Sequence, residues 1–388
     1  MYSQKTSIYK SGLFFFFIVF PFIYPLGLDS FGITKTMIIG WELIAMVSLI
    51  AMCRKGYRLS KYMLAVAVYH LMMLAITVIE VGHIGDGLKK LFVFPFACIA
   101  IDLWSKKNPK LLLKGILYIL FLEELFTFLL WNVSAFGEGH YFVGIRTDFP
   151  VIGFLAIFVA FLCLYIKLKN TRTVAILTLL LVIFSIFRSG VSTGLVGLAI
   201  LAALLILIRF KLLERFVQLC DNKKLIPIGI VLNILFVFFG AQTYFSTIIT
   251  QILDESIRLN GRTIIWENAL AYIAQKPYFG YGVYGVYVPV AWGVSFNYLH
   301  TESLQLLLDG GVALTVCFLI IVFNIGKGID ICEDYFMRKL ATMCLFCCFI
   351  MMITEVFTFY MWFWVLITLM ANLTEFEGLK SENNQMLS

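Results

Sequence analysis

Long apolar runs, broken by short charged or glycine-containing segments, set the pattern of this chain. They fall at approximately 11–28, 36–53, 62–80, 90–104, 111–131, 150–166, 173–187, 191–208, 225–243, 303–326, 339–353 and 356–373. An apolar run of about 18 residues or more spans the hydrocarbon of a bilayer as a helix, the form in which an unsolvated backbone satisfies its own hydrogen bonds. The pattern predicts an all-α integral membrane protein of about 12 transmembrane helices, a single polytopic membrane domain over residues 1–388. The first run lacks a small-residue cleavage site and is read as the first helix rather than a removed signal. Between the ninth and tenth runs, residues 244–302 form one long loop that interrupts the rhythm. Loops of that length in a compact protein are usually functional.

Charge adds an orientation. Alternate connections are rich in lysine and arginine: Lys5 and Lys10, then Arg54 to Lys61, Lys106 to Lys110, Lys167 to Arg172, Arg209 to Lys224, and Lys327 to Lys339. The other set holds only Lys35, Lys89, Lys90, Arg146, Arg188, Arg258, Arg262 and Lys276. Basic loops stay cytoplasmic. Both termini are therefore expected in the cytoplasm, in a plasma (inner) membrane, and the loop 244–302 is expected to be extracytoplasmic. Composition agrees: 61% of residues are hydrophobic and 14% charged, against about a quarter charged in a soluble domain. The net charge of +7 follows the cytoplasmic loops, so no nucleic-acid partner is expected. The nine cysteines include no paired CxxC motifs, which argues against a disulfide framework and a zinc site.

Candidate chemistry lies on the outer side. In the long loop, Asn260 and Gly261 read as a helix start and Pro277 as its end, with Arg262 and Trp266 one turn apart on one face. An arginine on the first turn of a helix adds a bidentate donor to a terminus that already favours anions. Arg262 and Arg258 in such a place also suit anchoring to lipid headgroups. Gly280, Gly282 and Gly285 have GxGxxG spacing but lack the flanking strand and helix of a dinucleotide fold; with Tyr281 they suggest a turn whose aromatic faces meet sugar rings. His300 and Glu302 sit at the mouth of the tenth helix, where a histidine can act as a base near neutral pH. Arg188, in the short connection FRSG, sits at the outer interface, where an ionisable group usually marks a cavity. Arg146 and Glu124 are further candidates to line a polar cavity, and Glu42 reads as an interfacial residue.

The segments GRTIIWENAL, KPYFGYGVYG and HTESLQLLLDGG, with Arg188 in FRSG and the His300 to Gly311 spacing, resemble the core of the O-antigen ligase and polysaccharide polymerase family over roughly residues 145–325. Thr301, Glu302 and Leu314 depart from the family's usual residues. The resemblance implies a glycosyltransferase of the outer membrane face that needs no metal or other cofactor. Its donor would be an undecaprenyl-diphosphate-linked oligosaccharide. Its product would be an O-antigen, capsule or exopolysaccharide, with a chain-length regulator and a flippase as partners. Arg188, Arg262 and His300 would be catalytic; Arg146, Arg258, Trp266, Tyr281, Glu302 and Glu124 would bind substrate. The physical reading agrees: arginines grip a diphosphate leaving group through paired hydrogen bonds, and His300 takes a proton from the attacking hydroxyl. Polymerase is the preferred expectation. The alternatives are a ligase with lipid A core as acceptor and a lipid-linked oligosaccharide transporter, which would carry its polar residues at mid-bilayer.

Overall fold

The computed structural model describes residues 8–54, 56–80, 82–133, 136, 140–210, 221–240, 243–244, 250–251, 261–290 and 293–380. Lys5, Lys55, Lys211, Arg215, Cys220, Arg258 and Asn260 lie outside the described residues.

A helix lies over each of the twelve apolar runs. They are α1 (Gly12–Val19), α2 (Gly32–Cys53), α3 (Lys61–Ile79), α4 (Ile84–Lys107), α5 (Pro109–Leu129), α6 (Asp148–Tyr165), α7 (Arg172–Ser189), α8 (Ser192–Arg209) and α9 (Asn222–Phe239), then α11 (Glu302–Ile331), α12 (Tyr335–Met351) and α13 (Met361–Ala371). The helix α10 (Arg262–Gln275) belongs to the long loop. A small hairpin follows it, β1 (Val288–Pro289) pairing antiparallel with β2 (Ser295–Phe296). Six helices, α2, α3, α6, α7, α9 and α11, are individually long and apolar enough to cross a membrane, and α1, α8 and α13 are shorter apolar helices. The chain is an all-α, multi-pass membrane protein.

Local sequence sets many of the boundaries. Ser60 accepts a hydrogen bond from Met63 N at 3.1 Å and so caps α3. Asn108 does the same for α5 through Leu111 N, also at 3.1 Å, with Pro109 at the first helical position, where a missing N–H costs nothing. The helices α7 and α9 end at Gly190 and Gly240, both left-handed.

Burial separates centre from periphery. Every residue of α13 from Met361 to Met370 is buried, as are nearly all of α6. These helices are apolar all round, which in a bundle marks the core. By contrast Leu180, Ile183, Phe184 and Phe187 on α7 are exposed apolar side chains, the composition of a face turned to lipid. Around the core, α6 packs on α7, α5 and α13, while α3 packs on α11 and α4.

The long loop is fixed to the bundle by main-chain atoms. α11 breaks at Gly311, whose φ of 61° and ψ of −159° are open essentially to glycine alone. The break frees the carbonyls of Leu308 and Asp309 and the N–H groups of Val312 and Ala313. The segment 277–282 takes up all four. Tyr281 N and Gly282 N donate to Leu308 O and Asp309 O at 2.8 Å each, and Val312 N and Ala313 N donate to Pro277 O and Tyr278 O at 2.8 and 3.1 Å. A Cβ on Gly311 would strike the Tyr278 backbone, and one on Gly280 the Leu308–Gly310 backbone. The glycines of FGYGVYG and DGG thus serve close backbone approach. Gly311→Ala should cost about 1–3 kcal/mol from the backbone conformation alone, plus the clash. The purified variant should unfold at a lower temperature in detergent; an unchanged midpoint would show that the seam is dispensable.

Candidate active site

Helix α10 carries Arg262 on its first turn, and Gly261 before it adopts a φ of 86°. Ile265, Trp266, Ala269 and Ile273 form its buried stripe, packed with Leu299, Leu304 and Leu308 at the start of α11. Trp266 Nε1 donates to Leu299 O at 2.8 Å. One tryptophan therefore fixes both the rotation of α10, which aims Arg262, and the backbone that leads into His300.

The Arg262 guanidinium reaches the connection between α12 and α13. Nη1 donates to Thr354 O at 2.9 Å and Nη2 to Glu355 Oε1 at 3.2 Å. The other carboxylate oxygen, Oε2, accepts from the Tyr298 hydroxyl at 3.0 Å. Tyr298 packs edge-on against His300 with centroids 4.6 Å apart. Thr354 Oγ1 lies 2.8 Å from Thr193 Oγ1 on the first turn of α8, and Tyr360 OH lies 3.3 Å from Thr147 Oγ1 just before α6. Chain segments distant in sequence thus meet at one end of the bundle.

Burial and charge set the protonation here. The His300 imidazole is pushed down to about 4, first by burial and then by the Arg262 cation, so it is neutral at physiological pH. Its Nδ1 is buried without a hydrogen-bond partner, and its backbone is left-handed, φ 54°, an uncommon conformation for a non-glycine residue. Glu355 is pushed up to about 7 by burial, which Arg262 opposes.

The residues named from sequence separate. Arg262 and His300 come together. Arg188 does not join them. Its guanidinium stacks 4.7 Å over Trp131 and 5.6 Å from Phe184, with Asn132 Oδ1 at 3.5 Å from Nη2. Helical period explains this: Arg188 follows Leu180 and Phe184 at four-residue steps on the exposed face, whereas Ser185 and Ser189 face inward. Arg146, itself exposed, bonds the backbone of that connection, donating from Nε to Ser189 O at 2.9 Å and from Nη2 to Gly190 O at 3.4 Å.

Four of the expected substrate-binding residues are occupied internally; Trp266, 2% exposed and bonded to Leu299 O, is the first. Glu302, 3% exposed, accepts from Phe357 N at 2.6 Å, Thr358 N at 3.1 Å and Thr358 Oγ1 at 2.6 Å. It holds the α12–α13 connection instead of facing a ligand. Glu124 is buried and accepts from Ser185 Oγ at 2.7 Å. Tyr281 donates to Tyr272 O at 3.0 Å within the loop. Arg258 lies outside the described residues. Sequence reasoning passed over Glu355, Tyr298 and Tyr360; the signal was a single acid in the apolar stretch ITEVFTFYMWFW, since an ionisable group at membrane depth is rarely idle. Among the described residues, no group of three or more His, Cys, Asp or Glu is placed to hold a metal ion.

Residues 177–319 match the family model described as O-antigen ligase. The match runs from α7 through α10 into α11 and contains Arg188, Arg262 and His300. No curated protein matches the chain.

Proposed function

From a chain that carries an O-antigen ligase region across its long loop, we propose a membrane glycosyltransferase of the outer face that polymerises undecaprenyl-diphosphate-linked repeat units. The observation that carries this reading is the meeting of Arg262 and His300, a fixed cation and a neutral imidazole, on either side of Tyr298. In the proposed reaction the bond between the donor sugar's anomeric carbon and the diphosphate oxygen breaks, and the diphosphate leaves with the electron pair. The acceptor hydroxyl forms the new glycosidic bond, and its proton passes to His300. Arg262 exchanges part of its contact with Glu355 for the departing diphosphate, where a planar guanidinium offers two parallel donors. Arg146 supplies a second cation from the α6 side, the part expected of Arg188. The apolar faces between helices accommodate the polyprenyl chain.

This reassignment has a measurable consequence. An exposed cation–π contact is worth about 0.5–1 kcal/mol, so Arg188→Ala should leave polymer within about fivefold of wild type, while Arg146→Ala should reduce it further. Abolished polymer in Arg188→Ala, at normal protein level, would return Arg188 to the reacting centre.

Purified protein reconstituted with native lipid-linked repeat units, with a chelator present, should produce a ladder of products. Absence of any elongated product would overturn the proposed function. The family description favours a second reading, a ligase with lipid A core as acceptor. A deletion strain distinguishes them: loss of long chains with one repeat still attached indicates a polymerase, and complete loss of attached glycan indicates a ligase.

A further inference from the structure

Further along the α12–α13 connection from the Arg262 contacts at Thr354 and Glu355, a cavity of about 250 Å³ opens between the α1–α2 linker, α2, α4 and the start of α13, near the lower end of small-molecule pockets, which begin at roughly 300 Å³. Beside the Lys89–Asp29 ion pair at 4.0 Å, its lining includes two charged side chains, Lys90 and Glu42, that make no hydrogen bond to the described residues. Lys90 on α4 is 8% exposed, and its Nζ is buried with no acceptor. Its described contacts include the Phe359 ring, 3.0 Å from Nζ to the centroid. Glu42 on α2, read from sequence as interfacial, is 4% exposed and has no hydrogen bond to the described residues. Asp86 stands at the rim, more than half exposed. Phe359, Tyr360 and Trp362 add aromatic surface.

Asp309, Asp86 and Glu302 act on Lys90 through space, as Lys89 does on Glu42, but none accepts a Lys90 proton among the described residues, and a buried ammonium without an acceptor is expensive. A ligand for this cavity must therefore offer acceptors to Lys90 and donors to Glu42 and Asp86, and apolar C–H surface to the aromatic rings. A diphosphate fails the second requirement: it offers no donor to Glu42 or Asp86, and although Lys90 would attract it, Lys89 is already paired with Asp29. A sugar ring meets all three: each hydroxyl both donates and accepts, and the ring's C–H faces suit Phe359 and Trp362. The cavity also communicates with the candidate base. Phe359 contacts Tyr298 at 5.9 Å between centroids, and Tyr298 contacts His300.

We propose that this cavity is the acceptor subsite, binding the hydroxylated terminal sugar of the acceptor repeat unit between Lys90, Glu42 and Asp86. The inference rests on the glycosyl-transfer reading above and gives donor and acceptor different stretches of one connection: diphosphate at Arg262, beside Thr354 and Glu355, and sugar at Lys90, beside Phe359.

The test uses full-length protein in lipid nanodiscs and two probes measured by calorimetry. One is the native repeat-unit oligosaccharide freed from its lipid and phosphates by mild acid; the other is undecaprenyl diphosphate without sugar. Lys90→Met and Glu42→Gln should each weaken the oligosaccharide at least tenfold while binding undecaprenyl diphosphate as wild type does. Arg262→Ala should show the reverse. Asp86→Asn, at the exposed rim, gives a variant that does not disturb the interior, and should weaken the oligosaccharide alone. Wild-type affinity for oligosaccharide in Lys90→Met and Asp86→Asn, or loss of undecaprenyl diphosphate in Lys90→Met, overturns the assignment. If wild type binds undecaprenyl diphosphate and forms polymer but does not bind the oligosaccharide, the subsite falls and the function stands. If it does neither, the function falls as well.

Discussion

Arg262→Ala is expected to abolish polymer while protein level in the membrane stays unchanged. Removing one preorganised donor from a developing anion typically costs about 10²–10³ in rate, and here it also strands Glu355, a buried carboxylate whose sole ion-pair partner among the described residues is Arg262. Arg262→Lys should rescue little. Its point charge cannot bridge Thr354 O and Glu355 Oε1 at once as the guanidinium fork does. The double variant Arg262→Ala/Glu355→Gln separates the two effects. Restored thermal stability with activity still absent assigns the arginine to the reaction; recovered polymer would mean that Arg262 serves only to hold the connection.

His300→Ala should lower the rate about 10²–10⁴-fold, the usual worth of a positioned base, and leave undecaprenyl diphosphate binding intact. The pH profile tests the same assignment. A histidine held down to about 4 is neutral and competent throughout the physiological range, and it loses competence only as pH falls towards that value. The acid limb should therefore lie well below 6.5. Glu355, held up to about 7, gains its proton as pH falls through that value and loosens its hold on Arg262, so a limb near 7 that vanishes in Glu355→Gln reports the carboxyl. A limb near 6.5 that persists in Glu355→Gln would place His300 in open water instead of the buried position described above. Weakened donor binding with unchanged turnover in His300→Ala would end its role as base.

Much of this was legible in the linear pattern. Apolar runs located the bundle helices among the described residues, because lipid forbids an unpaired backbone, although only six of these helices are individually long and apolar enough to cross a membrane. The start of α10 was legible from a glycine followed by an amphipathic turn, and its end from Pro277. The site was legible only in part. Arg188 was chosen for its depth and lack of a nearby acid, yet its place at a four-residue step from Phe184 set it on the outer face, a periodicity that the residues themselves display. Glu302 beside His300 suggested a substrate-binding carboxylate; it accepts three bonds from residues 357 and 358, and partners fifty-five positions away leave no mark in local spacing. Glu42 was taken for an interfacial group because hydropathy gives depth along a helix and not which neighbours surround it. Glu355 was hidden by brevity, since the connection that carries it scarcely interrupts two apolar runs.

The seam at Gly311 has one more implication, for how such an enzyme diversifies. Four backbone bonds hold the external segment, and none depends on which side chains the segment bears apart from its glycines. Of the tyrosines and valines between Tyr281 and Val290, Tyr287 alone is exposed and free to be exchanged without shifting the register that aims the guanidinium and the imidazole; Val288 and Val290 are buried in the cluster that holds Trp266, and Val283 in the main core. Exchanging Tyr287 should therefore leave the chemistry running, whereas grafting the whole stretch would disturb the packing that seats α10.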